Sequence, residues 1–214
     1  MERGTKPHWS PGWLPEAQWL QLELARDDVA AVDDEAAACF PLVTVHNDEG
    51  AVLRRRCWGL QWLQFVGMSW GEARDLLSGV ARRLERSMYR YGGVGIAAPQ
   101  VGLSLRAVCL RMGVQEQAAR TVFALEPQIL WRSASCREGR EGCLSVPGLS
   151  GIVRRNEALR VLYLGLDGEH HELLVEGFDA VVWQHELDHL DGVLYLDRVQ
   201  GEPVAELADE DDGA

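Results

Sequence analysis

Gln184-His185-Glu186-Leu187-Asp188-His189 is the stretch from which the rest of the chain can be ordered. In a helix, four steps of roughly 100° return to about 40° from the start, so His185 and His189 share one face, one turn apart. That separation lets two imidazole nitrogens hold one metal ion, at about 2.0–2.1 Å each if the ion is zinc. Glu186 falls beside the metal, turned from direct ligation, where a carboxylate can act on an activated water as general base. A surface helix that happens to carry two histidines has the same pattern, so a third ligand must come from elsewhere in the chain.

Working back along this helix, which begins near Gly177 and stops at Asp191-Gly192, positions −3, −4 and −7 from His185 are Val182, Val181 and Phe178. These spacings fall on the His185 face. The apolar patch leading to the histidines is either a pocket for an apolar substrate side chain or plain core. Asp188 points elsewhere on the helix, which suits an orienting role.

Further upstream, Ser69-Trp70-Gly71-Glu72 fits a capping box. Ala73, Leu76, Leu77, Val80, Leu84 and Met88 follow at helical spacing, giving a long amphipathic helix closed by Gly92-Gly93. Then comes Gly93-Val94-Gly95-Ile96-Ala97-Ala98-Pro99-Gln100, whose small residues allow close backbone approach. It follows a helix and lacks a third glycine in register, so it fails the dinucleotide-binding pattern. Gln100 is the polar exception here, equally consistent with a tight connection and with an amide donor. Leu42–His46, Leu105–Leu110, Thr121–Leu125 and Gln128–Trp131 read as strands. Val161–Leu166 and Glu172–Val175 form a hairpin around Asp167-Gly168, with His170 and His171 in solvent at the turn, and 148–151 reads as a loop. His46 reads as structural.

The chain has 214 residues and five cysteines, an odd number with no CxxC pair, which in a cytoplasmic chain read as free thiols. Cys109, in an apolar run, reads as buried. Cys143 is consistent with core or with a thiolate offered to a metal. No apolar run approaches the roughly 18–20 residues of a membrane helix, and the N-terminal residues lack the apolar core of a secretory signal. The net charge of −12 sits at the ends: residues 1–50 carry ten acidic and three basic side chains, and residues 201–214 carry six acidic and none basic. The body is near neutral and has no basic stripe for nucleic acid. We expect a Trp-containing acidic extension over 1–40 with a short helix at Gln18–Ala25, a catalytic domain over 41–200, and an acidic disordered tail over 201–214.

Three motifs, 93–100 (GVGIAAPQ), Glu141-Gly142-Cys143-Leu144-Ser145 and His185-Glu186-Leu187-Asp188-His189, stand in the order found in the peptide deformylase family, which residues 42–199 resemble. The resemblance implies an α+β fold, with small antiparallel or mixed sheets around a central C-terminal metal-binding helix and a long N-terminal amphipathic helix. It implies Cys143, His185 and His189 as ligands of one divalent metal ion, usually ferrous iron, with zinc, nickel or cobalt as substitutes. It implies removal of the formyl group from N-formylmethionyl ends of new polypeptides, releasing formate. Glu186 would serve as general base and then acid, with the Gln100 amide and the Leu144 N–H as oxyanion donors. Val94, Gly95, Phe178, Val181 and Val182 would bind the methionine, and the peptide backbone would pair near Gly95 and near Gly139 to Glu141. A cytoplasmic enzyme in transient proximity to ribosomes follows, with no direct nucleic-acid or membrane binding.

Two departures from the family pattern stand out. Ser150 replaces an arginine found in many relatives, and Glu126-Pro127 replaces the more usual Asn-Pro. The rival readings are an HExxH metallopeptidase, which needs a His or Glu ligand downstream of His189, and a non-catalytic formyl-peptide-binding relative.

Overall fold

A computed structural model describes residues 39–61, 68–116 and 119–205. The expected helix at Gln18–Ala25, the tryptophans at 9, 13 and 19 and most of the acidic tail lie outside the described residues. Helix α1, Trp70–Arg90, opens on the capping box read from sequence: the Ser69 hydroxyl accepts from the Glu72 N–H, and the Glu72 carboxylate accepts from the Ser69 N–H. Its buried face carries Ala73, Leu76, Leu77, Val80, Leu84 and Met88, each such large side chain contributing roughly 1.5–3 kcal/mol by leaving water. Gly92, at φ 71°, supplies the left-handed turn that ends it. No helix of the described residues is long and apolar enough to cross a membrane.

Two antiparallel sheets follow. The larger has the order β1-β2-β3-β6-β7, built from Gly95–Ala97, Ala107–Met112, Arg120–Arg132, Ala158–Leu164 and His170–Glu176. The smaller has the order β4-β5-β8, from Cys136–Cys143, Val146–Asn156 and Val204–Ala205. Helix α2, Gly177–Leu190, lies between them. Ala180, Val182, Trp183, Leu187 and Leu190 pack into the core of the five-stranded sheet, while Gln184, Glu186 and His189 are buried as well. A helix covered on nearly every side is an interior element, and this one carries the histidines. β1 and β4 are edge strands of their sheets, and residues of both line the same cleft.

The structure corrects four expectations. Leu42–His46 forms no strand: the Val43 and Val45 N–H groups donate singly to the Gln100 and Ser145 carbonyls, so the segment is tied to two elements without a ladder. A 3-10 helix, Asp48–Arg54, follows. The expected strands Thr121–Leu125 and Gln128–Trp131 are one strand, β3, that passes through an irregularity between Leu125 and Gln128. Glu126 sits there at φ 49°, and its carboxylate accepts from the Leu60 N–H at 2.7 Å. Residues 148–151 are not a loop but part of β5, paired with β4 and β8. His170 and His171 begin β7, and His171 is not free in solvent: it bonds Asp167 and stacks on Tyr163.

Candidate active site

β4 ends in an irregularity of register at Gly142/Cys143, followed by the two-residue turn Leu144-Ser145; such bulges re-aim side chains. It brings the Cys143 sulfur 3.3 Å from His189 Nε2. Cys143, His185 and His189 offer three ligand atoms that all lie within 4.8 Å of one another. Ligand bonds of about 2.3 Å to sulfur and 2.0–2.1 Å to nitrogen at a tetrahedral angle place S and N about 3.5 Å apart, so the observed spacing fits one shared cation.

The surroundings fit a cation as well. Burial would lower the His185 pKa, but Cys143, Glu141 and Glu186 together raise it to about 10, a sign of a cavity that favours positive charge at that ring. His189 has a pKa well below the usual range because of burial and its neighbour His185 and is neutral, whereas a cation taken up at His185 displaces the proton that this ring otherwise holds.

His185 is oriented from behind. Its Nδ1 lies 3.0 Å from Glu141 Oε2, leaving Nε2 for the site. Glu141 in turn accepts two bonds from Arg155, at 2.8 and 2.9 Å, and Arg155 Nη1 donates to Asp188 at 2.6 Å. Arg198 Nη2 closes the chain on Asp188 Oδ1 at 2.6 Å. Burial alone would raise the Glu141 pKa, but the Arg155 and His185 hydrogen bonds outweigh it and hold the carboxyl down at about 2. Asp188 thus has the orienting role expected of it. Arg155, at 4% exposure, is the residue sequence reading missed. Nothing distinguishes Arg155 from its exposed neighbour Arg154 except strand alternation, and this strand was not foreseen.

Glu186 is 4% exposed, and its Oε2 has no hydrogen-bond partner among the described residues. Burial, partly offset by His185, raises its carboxyl to about 7, the range suited to a general base at neutral pH. Gly95 makes room for it: a Cβ there would lie 2.5 Å from Glu186 Oε1. The amide of Gln100 is held in one orientation, with Oε1 accepting from the Ala97 N–H at 2.8 Å. Its Nε2 therefore faces the Cys143 sulfur at 3.6 Å and Ser145 Oγ at 3.3 Å. Ser145, fully buried, and Tyr195, stacked on the His185 ring at 6.2 Å, are two further supports that sequence reading did not single out.

A cleft of about 650 Å³ opens onto this group. Val94, Gly95, Phe178, Val181 and Val182 line it together with Gln100, Glu141, Cys143, Leu144, His185 and Glu186. Of the expected site residues, Gly139 alone among the non-ligands lies beyond the lining, one residue past Arg140 on β4, and His189 sits buried behind the cleft wall.

Comparison with known proteins gives one consistent result. The family model for polypeptide deformylase matches residues 45–203. The peptide deformylase of Desulforudis audaxviator (strain MP104C) is 42% identical over 119 residues, 56% of this chain and 75% of that protein. The crystal structure of peptide deformylase from Thermotoga maritima superposes with a TM-score of 0.64 at 32% identity, covering 76% of this chain and 99% of that one. The class I type b peptide deformylase from Acinetobacter baumannii with Met-Ala-Ser bound gives 0.61 at 32% identity, over 75% and 98%.

Proposed function

The chain belongs to the polypeptide deformylase family, and from that premise we propose how its own residues hydrolyse the N-formyl group of a polypeptide to formate and a free amine. The observation that carries the assignment of roles is the convergence of Cys143, His185, His189, Glu186 and Gln100 at one end of an apolar cleft. Cys143 Sγ and the Nε2 atoms of His185 and His189 would hold one divalent cation, which when bound supplies Lewis acidity toward a water and the formyl oxygen. Glu186 takes a proton from the attacking water and passes it to the nitrogen as the C–N bond breaks. The Gln100 amide and the Leu144 N–H donate to the oxygen that gains charge, each such donor being worth about 2.7–4 kcal/mol in comparable sites.

Phe178, Val181, Val182 and Val94 form the walls for the methionine side chain, with Gly95 keeping the backbone close. The peptide strand lies between the edge strands β1 and β4, bonded near Gly95 and the 139–141 segment. The bound Met-Ala-Ser of the Acinetobacter baumannii relative supports this reading. Ferrous iron is the metal we assign, in a cytoplasmic enzyme that meets its substrates near the ribosome, with residues 1–40 and 201–214 as appendages to a catalytic body. Anaerobic purification with metal analysis, followed by formate release from formyl-Met peptides, tests this. Iron with air-sensitive activity is the expected result; stoichiometric zinc with air-stable activity would contradict the choice of metal.

A further inference from the structure

Among the described residues, the cleft that receives the peptide carries one exposed charge. Of its charged lining residues, Glu141 and Glu186 are 7% and 4% exposed and already engaged in the site, whereas Arg140 is exposed. Arg140 is also placed. On β4 it stands directly opposite Ile152 of β5, and its guanidinium reaches diagonally to Ser150, where Nη1 donates to Oγ at 3.0 Å. Ser150 is itself only 3% exposed, and β8 pairs across it through Val204. A buried hydroxyl on a sheet residue thus anchors one edge of a solvent-facing guanidinium. The other N–H groups of Arg140 make no hydrogen bond to a described residue, which leaves a planar donor edge open at the cleft wall.

Register sets which part of a substrate would meet it. Arg140 precedes Cys143 by three residues, about 10 Å along the strand at 3.3 Å per residue. A peptide extended along β4 with its formyl group at the Cys143 end advances by the same rise. Its third residue, counting the methionine as first, is therefore level with Arg140. Guanidinium groups bind carboxylates through paired N–H bonds.

We propose that Arg140, positioned by Ser150, is a specificity-determining residue that selects formylated peptides with an acidic side chain at the third position. This rests on the deformylase reading and narrows its substrate class. The contact is made equally in the bound and reacting states, so it acts on KM and leaves kcat alone.

The test compares formyl-Met-Ala-Asp-amide, formyl-Met-Ala-Lys-amide and formyl-Met-Ala-Ala-amide on the metal-loaded full chain by formate release. The amide ends remove the terminal carboxylate. An ionic strength of 0.15 M, where the screening length is about 8 Å, suppresses long-range effects of the acidic chain ends. The readout is the Asp-to-Lys ratio of kcat/KM, so a general loss of activity in any variant cancels. The expected ratio is about three- to fivefold for the wild type, the range of a partly exposed ion pair. It falls to near one in Arg140→Ala, inverts in Arg140→Glu and takes an intermediate value in Ser150→Ala, with the change in KM. A wild-type ratio near one, or the same ratio in Arg140→Ala as in the wild type, overturns the proposal while leaving the deformylase reading in place. No formate from any of the three peptides overturns that reading and the proposal with it.

Discussion

One methyl group at Gly95 is enough to probe how closely Glu186 is held. A Cβ there would meet Glu186 Oε1 at 2.5 Å and Cδ at 2.9 Å, so Gly95→Ala must move the carboxylate. Because proton transfer by such a group contributes about 10²–10⁴-fold, the variant should lose at least about 10² in kcat while its metal content stays at the wild-type level. Steady-state formate release with metal analysis reads both. Removing the partner of His185 should do the reverse: Glu141→Gln weakens the orienting bond to Nδ1 and is expected to lower metal affinity by about 10–100-fold, measured by competition with a chelator. At this scale the clustering of Cys143, His185 and His189 beside Glu186 was legible from residue type and spacing once the resemblance supplied Cys143. The close approach that the glycines at 93 and 95 implied was legible too, but its target was not, because Glu186 is some ninety residues away in sequence. Arg155 was illegible for a related reason: a buried arginine differs from an exposed one only by its partners, and those are long-range.

At the scale of elements, the two described α-helices were read correctly because each has a local signature: a capping box and 3.6-residue periodicity for α1, and the paired histidines with a glycine stop for α2. Ser69→Ala removes the N-cap of α1 at an exposed position and should cost about 1 kcal/mol. In a chain of this size that lowers Tm by about 2–4 °C, read by thermal unfolding at fixed metal loading. The β4–β5 hairpin escaped sequence reading. Cys136-Arg137-Glu138-Gly139-Arg140-Glu141-Gly142 has the charge and glycine content of a loop, and it is a strand because β5 supplies its ladder. β3 was read as two strands because Glu126-Pro127 interrupts the apolar pattern with a charge and a residue that lacks an N–H; in the structure Glu126 takes positive φ there and the sheet continues past it. Leu42–His46 failed in the opposite sense: its composition suits a strand, but its N–H groups are taken singly by two different elements.

For the whole molecule, the chain Arg198–Asp188–Arg155–Glu141–His185 ties the C-terminal segment, α2, β5 and β4 into one unit behind the site. It also makes stability depend on acid. The Glu141 carboxyl titrates at about 2 in the folded chain against 4.5 ordinarily, so its stabilisation is fully present above pH 4.5 and is lost as pH falls toward 2. Denaturant midpoints of the metal-free protein should therefore fall across that window, and Glu141→Gln, less stable at neutral pH, should show a shallower fall. Equal slopes in the two proteins would remove Glu141 from the account. The separation of an acidic pair of ends from a near-neutral body was visible in composition alone, whereas the convergence of β1, β4 and α2 on one cleft was not, since it depends on how two sheets meet across a helix. The most direct test of the assignment is formate release from a formyl-Met peptide, with metal content, in the wild type and in Cys143→Ala. The wild type should release formate with one metal ion per chain, and the variant should lose both; a variant that keeps full metal occupancy and full activity would contradict the account.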